Sequence, residues 1–487
     1  MNYKQLFATA ALAVGIASAA HAGRTAGAPN YTIGGTTYEA VYITGSSAFR
    51  GNLYQSVTHN LFDGNNYTLQ GKGGAPAADG STSSYNAYGD ITDVQAGGVT
   101  HHIILLVGIT GSEAGLACLY GTTVNNDTQL AGLGGDGSAK TLFGTPTVAT
   151  FVDPNNTGSY LATPCSADLA FADTSYKVSL NPGFNSNLKE YGIVGVIPFT
   201  WAKGKYGTAN PGWTNLVNLT RFQANFLCSG PQYLNYLTGV ATDHTNHVYM
   251  IGRNKGSGTR VNMMLDAGHA VNASGQVDNW VPKDSYYNSA KQNSLVFGTV
   301  QTLSAAGGLF DVVNDGYESG GDVCSALKDD CSGWVDTSIT LATNAAVITV
   351  GYTGLVDLYA SHLLTSGGAV LTDQGVLESD GTVINGTYSF WGHEHLYGAV
   401  GQTTGSSAGV VAAKLVGASN IGAPNAGLHG LSTAAGALEG SFAYLTPPGG
   451  QEANPETYTV ISGASTALDP AVVACDKPSD AGYPSLQ

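Results

Sequence analysis

The stretch EAVYITGSSAFRGNLYQSVTHNLF, residues 39–62, begins with a run typical of a β-strand, continues through a turn of small residues, and ends in a helical pattern. Apolar side chains recur at Phe49, Leu53, Val57 and Leu61, the spacing of residues on one face of a helix. A strand that leads through a short turn into a helix is the repeating unit of α/β folds.

The same order returns in HHIILLVGITGSEAGLACLYG, residues 101–121, where an apolar strand leads through Gly-Ser into a helix. Further strands are predicted within 191–203, 247–254 and 345–364, the last leading into a helix. This alternation predicts an α/β fold whose sheets are mostly parallel and flanked by helices. Two stretches rich in Gly, Asn, Ser and Thr are predicted to be loop insertions, 63–98 and 121–165.

The charge of the chain is low in density and acidic in sign. Its 487 residues include 18 Lys and Arg against 34 Asp and Glu, a net charge of −16, and only 11% are charged, where ~25% is usual. Such a chain lacks the basic surface that nucleic-acid or anionic-membrane binding requires, so neither partner is expected.

The first 22 residues have the pattern of a secretory signal peptide. Lys4 precedes the apolar run LFATAALAVGIASAA, and Ala20-His21-Ala22 fits a cleavage site. The run is shorter than the ~20 apolar residues that span a bilayer. We therefore expect residues 1–22 to be removed and the protein to reach the periplasm.

Export makes disulfides the expected role of the cysteines. The chain has six of them, Cys118, Cys165, Cys228, Cys324, Cys331 and Cys475. The short loop CSALKDDC favours a Cys324–Cys331 pair, and Cys118 with Cys165 is a weaker hypothesis. No Cys spacing is typical of a zinc site, and neither a metal nor a cofactor is predicted.

Three predicted turns between a strand and a helix carry small hydroxyl residues: Thr44–Ser47, Thr110–Ser112 and Gly256–Thr259. The first N–H groups of a helix have no partner within the helix, and the helix dipole is positive at that end, so such turns can bind an anion. Ser, Thr and Gly are also ordinary N-cap residues, which is the alternative for each turn alone. Three turns in one chain, one of them beside an arginine, indicate a common oxyanion site.

The segment RNKGSGTR, residues 253–260, resembles the Arg-x-x-Gly-Ser-Gly-Thr segment of the periplasmic phosphate-binding proteins of ABC importers. DLAFADTSY (168–176) and LTRFQANFLCSG (219–230) resemble family segments in the same order along the chain. The resemblance implies a two-lobed, Venus flytrap fold. Lobe I would comprise 38–200 with 352–487 and lobe II 201–351, joined by the strands VGVIPFTWA and VITVGYTGL.

The resemblance also implies a role for each matching residue. Arg253 would supply the positive charge, and Asp173 would be the sole acceptor, which rejects sulfate because sulfate carries no proton to donate. The donors to the anion would be Ser47, Phe49 through its N–H, Ser112, Ser257, Gly258 and Thr259. The family has a threonine where this chain has Ala48, and the missing hydroxyl would be supplied by Ser47 or Ser46. Arg260 and Lys255 are predicted as surface charges.

The function implied is capture of inorganic phosphate, or a similar tetrahedral oxyanion, by a monomeric periplasmic protein that delivers it to an ABC permease in the inner membrane. No chemistry on the ligand is expected. A surface or sensor protein that binds another partner through its loop insertions is the alternative, and a hydrolase would need a metal or an activated nucleophile. His393, Glu394 and His395 could offer metal ligands on a strand, but a packing segment with polar tips is the preferred interpretation.

Overall fold

The computed structural model describes most of the chain between residues 30 and 416. The described residues are 30–77, 82–93, 96–109, 111–120, 151–161, 167–179, 188–205, 211–254, 256–269, 271, 277, 279–282, 295–296, 300–301, 310–313, 316–317, 319–328, 335–336, 345–378, 382, 387–399, 402–403, 405–416, 445–446 and 459–460. The predicted signal peptide lies outside them.

The described residues form helices and strands in alternation. The helices are α1 (Arg50–Ser56), α2 (Ser112–Tyr120), α3 (Pro211–Asn215), α4 (Arg221–Cys228), α5 (Leu234–Thr238), α6 (Gly258–Asp266), α7 (Gly320–Leu327), α8 (Leu355–Ala360) and α9 (Ser407–Val416). The strands up to the middle of the chain are β1 (Asn30–Ile33), β2 (Thr36–Gly45), β3 (Tyr67–Gly71), β4 (Ser84–Asp93), β5 (Val99–Gly108), β6 (Val152–Asp153), β7 (Asn156–Tyr160), β8 (Leu169–Ala172), β9 (Leu188–Lys203), β10 (Asn218–Leu219), β11 (Gln232–Tyr233) and β12 (His247–Ile251). The remaining strands are β13 (Asn279–Pro282), β14 (Leu295–Val296), β15 (Val300–Gln301), β16 (Phe310–Val313), β17 (Gly316–Tyr317), β18 (Val335–Asp336), β19 (Ala345–Gly354), β20 (Ala369–Asp373), β21 (Trp391–Ala399), β22 (Leu445–Thr446) and β23 (Thr459–Val460).

The long strand β9 joins two groups of strands. Its residues Leu188–Pro198 pair with β21, beyond which the order is β8, β2, β5, β4 and β3. Its residues Phe199–Lys203 pair with β19, beyond which lie β12 and β11, and β20 pairs with this end of β9 as well. The chain therefore has the predicted α/β fold, built on a mixed sheet flanked by helices, and we call the strands and helices on the β21 side of β9 the first lobe and those on its β19 side the second lobe. The residue boundaries of the lobes stay a prediction.

The sheet is more antiparallel than the alternation of strands and helices predicted. Strand β2 is parallel to β5 and β8, and β12 is parallel to β19. Strand β9 is antiparallel to both β21 and β19. The hairpin-linked pairs β3–β4 and β4–β5 are antiparallel as well, because short connections join antiparallel strands and cannot join parallel ones.

The prediction that 63–98 is a loop insertion was wrong. Strands β3 and β4 lie in this stretch, and β4 pairs with β5 along its whole length. Tyr85, Ala87 and Ile91 are buried, with the period-two spacing of one strand face. The Gly, Asn and Ser content of the stretch hid this alternation. In the second predicted insertion, residues 121–150 lie outside the described residues, and β6 and β7 follow them.

Both faces of the central strands are covered. Val41 and Ile43 of β2 belong to the main core with Leu53 and Val57, whereas Tyr42 packs on the opposite face of the sheet. A strand buried on both faces is apolar throughout rather than alternating. This explains why VYI in β2 and IILLV in β5 are uninterrupted.

The cysteine predictions fall largely on residues that are not described. Cys324 is a buried free thiol, and its predicted partner Cys331 lies outside the described residues, so their disulfide is not shown. Cys165, the hypothetical partner of Cys118, also lies outside them. Within the described part of the chain, no helix is long and apolar enough to cross a membrane.

Candidate functional site

The carboxyl ends of three parallel strands in the first group bring three predicted site residues together. Ser47 follows β2, Ser112 follows β5, and Asp173 follows β8. Because β2 is parallel to both β5 and β8, these ends lie along one edge of the sheet, where ligands of α/β proteins commonly bind.

Asp173 is the centre of the hydrogen-bond network. The Ser112 hydroxyl donates to Asp173 Oδ1 at 2.6 Å, and the Asp173 N–H is 3.2 Å from the same hydroxyl. From the other lobe, the Thr259 hydroxyl reaches Asp173 Oδ2 at 3.5 Å, and Asn262 Nδ2 donates to the Asp173 carbonyl at 2.8 Å. The carboxylate therefore lies at the contact between the lobes.

Burial changes the acidity of this carboxyl. Desolvation raises the pKa of Asp173 from 3.8 to about 6, against the lowering effects of Ser112, the Arg253 charge and Thr259. Near neutral pH the group is still mainly ionised and acts as an acceptor. Below about pH 6 it becomes neutral and can donate a hydrogen bond.

Arg253 carries the guanidinium of the site from the loop after β12. Its side chain is buried, and Nη2 donates to the Ser47 hydroxyl at 3.3 Å. Its backbone N–H donates to the Tyr352 hydroxyl at 3.0 Å. A cation that reaches from one lobe to the other can bridge an anion held between them.

The prediction that Arg260 is a surface charge was wrong. Arg260 is fully buried, and its Nη1 donates to the Arg253 carbonyl at 3.1 Å. Arg260 therefore supports the loop that holds Arg253. The sequence carried no signal for this, because only the turn of α6 brings Arg260 beneath residue 253. Lys255 lies outside the described residues.

The N-terminus of α6 contacts the first lobe closely. Ser257 is the N-cap, its hydroxyl accepting from the Arg260 N–H at 3.4 Å. A Cβ added at Gly258 would overlap the Asp173 carboxylate and lie 2.8 Å from Ser112 Cβ. The absence of a side chain at Gly258 therefore lets the lobes meet at this point.

The first N–H groups of helix α2 are hydrogen-bonded to another part of the protein. The Gly256 carbonyl accepts from the Glu113 N–H at 3.1 Å and lies 3.4 Å from the Ala114 N–H. The positive end of α2 thus binds a carbonyl of the loop before α6. The two loops close against each other through this contact as well as through Asp173.

The first turn departs from the predicted arrangement. The Phe49 N–H, predicted to donate to the anion, donates instead to the Ser46 hydroxyl at 3.3 Å. The Phe49 ring packs on Phe171, with 4.8 Å between ring centroids. Of the two hydroxyls considered as substitutes at the Ala48 turn, that of Ser47 accepts from Arg253 and that of Ser46 accepts from the Phe49 N–H.

Glu394 is a site neighbour that sequence reasoning missed. Strand β21 runs past Asp173, so that a Cβ at Gly392 would lie 2.7 Å from the Asp173 carbonyl. Glu394 is fully buried two residues further on, on the same face of the strand. Desolvation and the Asp173 charge hold the pKa of Glu394 well above its usual range, opposed by Ser46. Glu394 is therefore a buried carboxyl group beside Asp173 whose surroundings favour its neutral form.

The two histidines beside Glu394 have packing roles. His395 Nδ1 lies 2.8 Å from Glu190 Oε1. The His393 ring contacts Trp391, with 5.2 Å between centroids. Among the described residues, no group of three or more His, Cys, Asp or Glu side chains could hold a metal ion.

Comparison with known proteins gives likeness at the level of fold. No protein-family model and no curated protein matches the chain. A proposed phosphate ABC transporter substrate-binding protein from Clostridium perfringens, solved with bound phosphate, is 12% identical over 78% of this chain and 94% of that one, with a TM-score of 0.36. PstS from Borrelia burgdorferi is 11% identical over 77% and 96%, with a TM-score of 0.29. The phosphate-binding protein from Stenotrophomonas maltophilia is 14% identical over 74% and 78%, with a TM-score of 0.30. Likeness at this level assigns no ligand to this chain.

Proposed function

We propose that this chain is a solute-binding protein that captures phosphate, or a similar tetrahedral oxyanion, between its two lobes. The supporting observation is the convergence of one guanidinium, one carboxyl group and several hydroxyls at the contact between the lobes. Arg253 and Asp173 come from different lobes, and Ser47, Ser112 and Thr259 surround them. An anion at this junction would hold the lobes in the closed form.

Selectivity would come from Asp173. An ionised carboxylate accepts a hydrogen bond from hydrogen phosphate, which still carries a proton near neutral pH. Sulfate has no proton at this pH and would place its oxygens against a buried negative charge. The donors would be Arg253, the Ser47 hydroxyl, and the backbone at Ser257 and Gly258. The hydroxyls of Ser112 and Thr259 donate to Asp173 in this structure and would turn to the anion when it binds.

Transport is the biological role we infer. The protein would act as a monomer in the periplasm and pass its ligand to an ABC permease in the inner membrane. An exported surface or sensor protein with this fold, whose inserted segments bind another partner, is the second candidate. Ala48 favours that candidate, because the family has a hydroxyl at this position.

Calorimetric titration tests the proposal. Wild-type protein freed of anions is expected to bind phosphate and arsenate but not sulfate. Asp173→Asn should lose phosphate affinity by about tenfold to a hundredfold, the effect of ~1.5–3 kcal/mol for a charged hydrogen bond, and should gain sulfate binding. Asp243→Asn is the matched control. Asp243 is also buried, but it accepts hydrogen bonds from Asn215 and Thr238 and is not part of the candidate site.

The second candidate, a surface or sensor protein, predicts that wild-type protein does not bind phosphate. If the wild-type protein binds none of the three anions, the transport role is refuted and the surface or sensor role is favoured. If sulfate binds as tightly as phosphate and Asp173→Asn changes neither affinity, the assigned role of Asp173 is wrong.

A further inference from the structure

A cavity of about 510 Å³ adjoins the candidate oxyanion site. Ser47 connects the two, because it lines the cavity and its hydroxyl accepts from Arg253 at 3.3 Å. Ile109, at the end of β5 and three residues before Ser112, also lines it. The cavity therefore lies along the same sheet edge as Ser112.

The size of the cavity bears on the ligand. Pockets of ~300–1,000 Å³ are typical of organic ligands, and a bare tetrahedral oxyanion is far smaller. At about 510 Å³ the cavity has room for a carbon chain or ring beside the anion. A protein specific for inorganic phosphate alone has no need of this space.

The lining is polar and contains both donors and acceptors. Arg50 and Lys72 supply positive charge, and Asp322 supplies a carboxylate. Hydroxyls come from both lobes, from Ser47, Thr82, Ser83, Ser84 and Ser319. Lys72 Nζ lies 4.3 Å from the centre of the Tyr160 ring, and both residues line the cavity. Such a surface suits an organic group that carries hydroxyls and excludes an apolar one.

We propose that the ligand is a phosphate monoester of a small polyol or sugar. Its phosphoryl group would bind between Asp173 and Arg253, and its hydroxyl-bearing part would occupy the adjoining cavity. This inference rests on the oxyanion-binding function proposed above and specifies its substrate class. The hydroxyls of the ligand would donate to Asp322 and accept from Lys72 and the serines.

A monoester is compatible with the acceptor of the site. The second ionisation of a phosphate monoester has a pKa of ~6, close to the value of about 6 to which burial raises the pKa of Asp173. Asp173 and the ester can therefore share one proton near pH 6, and the monoester should bind less tightly as the pH rises and both groups lose that proton. Arg50 and Lys72 would attract a second phosphate in the cavity and Asp322 would repel it, so pyrophosphate is included among the probes.

Calorimetry with defined probes tests the inference. The probes are inorganic phosphate, glucose 6-phosphate, glycerol 3-phosphate, pyrophosphate and glucose. At least one monoester is expected to bind wild-type protein about tenfold or more tighter than inorganic phosphate, which corresponds to ~1.4 kcal/mol. Glucose alone should bind weakly, because it lacks the phosphoryl group.

Substitutions of residues that line the cavity test whether the tighter binding of the monoester depends on the cavity. Ser83→Leu fills the cavity while keeping the Ser83 carbonyl that accepts from the Ile109 N–H at 2.8 Å. It should weaken the monoester by about tenfold and leave inorganic phosphate within about twofold. Lys72→Ala should also weaken the monoester. Lys189→Ala is the matched control, since Lys189 Nζ lies 4.4 Å from the Tyr191 ring away from the cavity.

The outcomes separate this inference from the function on which it rests. Wild-type binding of inorganic phosphate with no tighter monoester would overturn the inference and leave the oxyanion site intact. Tightest binding of pyrophosphate would also overturn it. Failure of every anion to bind would refute both proposals. A thermal midpoint for Ser83→Leu equal to that of wild type ensures that a loss of binding is not a loss of folding.

Discussion

Replacing Asp173 by asparagine should make the ligand-free protein more stable at neutral pH. The carboxylate is buried, and desolvation raises its pKa from 3.8 to about 6. At ~1.36 kcal/mol per pKa unit, this difference corresponds to about 3 kcal/mol of unfavourable free energy for the ionised group. Asparagine keeps an acceptor for Ser112 but turns an amide donor towards the Thr259 hydroxyl, so we expect a net gain of ~1–3 kcal/mol.

The gain should depend on pH in a defined direction. A folded-state pKa above the unfolded value means that the folded protein holds the proton more tightly. The stability that Asp173 contributes is therefore fully present below about pH 3.8 and is lost as the pH rises through about 6. The difference between the variant and wild type should grow from about pH 4 to about pH 7.5. Burial also raises the pKa of Asp357 in both proteins, so this group cancels in the difference. Glu394 does not cancel, because the variant lacks the Asp173 charge that helps to raise its pKa; the loss of that charge makes ionised Glu394 less unfavourable and adds to the gain at neutral pH.

Urea unfolding followed by circular dichroism measures this difference. Both proteins are freed of anions and unfolded at about pH 4 and about pH 7.5. Asp243→Asn serves as the control and should be destabilised at neutral pH, because it weakens the acceptor of Asn215 and Thr238. An Asp173→Asn variant that is less stable than wild type at neutral pH, or whose difference from wild type is equal at both pH values, would refute the reasoning.

Three further variants test the contacts around Asp173. Gly258→Ala places a methyl group against the Asp173 carboxylate and should abolish phosphate binding in calorimetry, whereas Gly405→Ala, in open space, should bind as wild type does. Arg253→Lys removes the planar fork and should weaken phosphate about tenfold or more, by ~1.5–3 kcal/mol; an unchanged affinity would exclude Arg253 from the site. The surroundings of Glu394 favour its neutral form, so Glu394→Gln, which puts a neutral amide in its place, should leave phosphate affinity at pH 7 within about twofold; a rise of tenfold would mean that Glu394 is ionised in wild type.

Much of the fold could be read from local pattern. The strands and helices predicted from 39–62 and 101–121 are present, because uninterrupted apolar runs and helical spacing are properties of neighbouring residues. Strand β4 was missed because its glycine, asparagine and serine residues are typical of loops. Its burial depends on pairing with β5, which composition does not report.

Some features of the candidate site could also be predicted from the sequence, and others could not. The sequence alone determined the small-residue turns, the Gly-Ser-Gly-Thr start of α6 and an arginine beside it, since these are short segments with local geometry. Only the tertiary structure decided that Asp173 meets Ser112 and Gly258, that Arg260 is buried against the Arg253 carbonyl, and that burial beside Asp173 raises the pKa of Glu394. Burial and charge proximity are set by strands that are distant in the chain and adjacent in the sheet, so no local pattern can encode them.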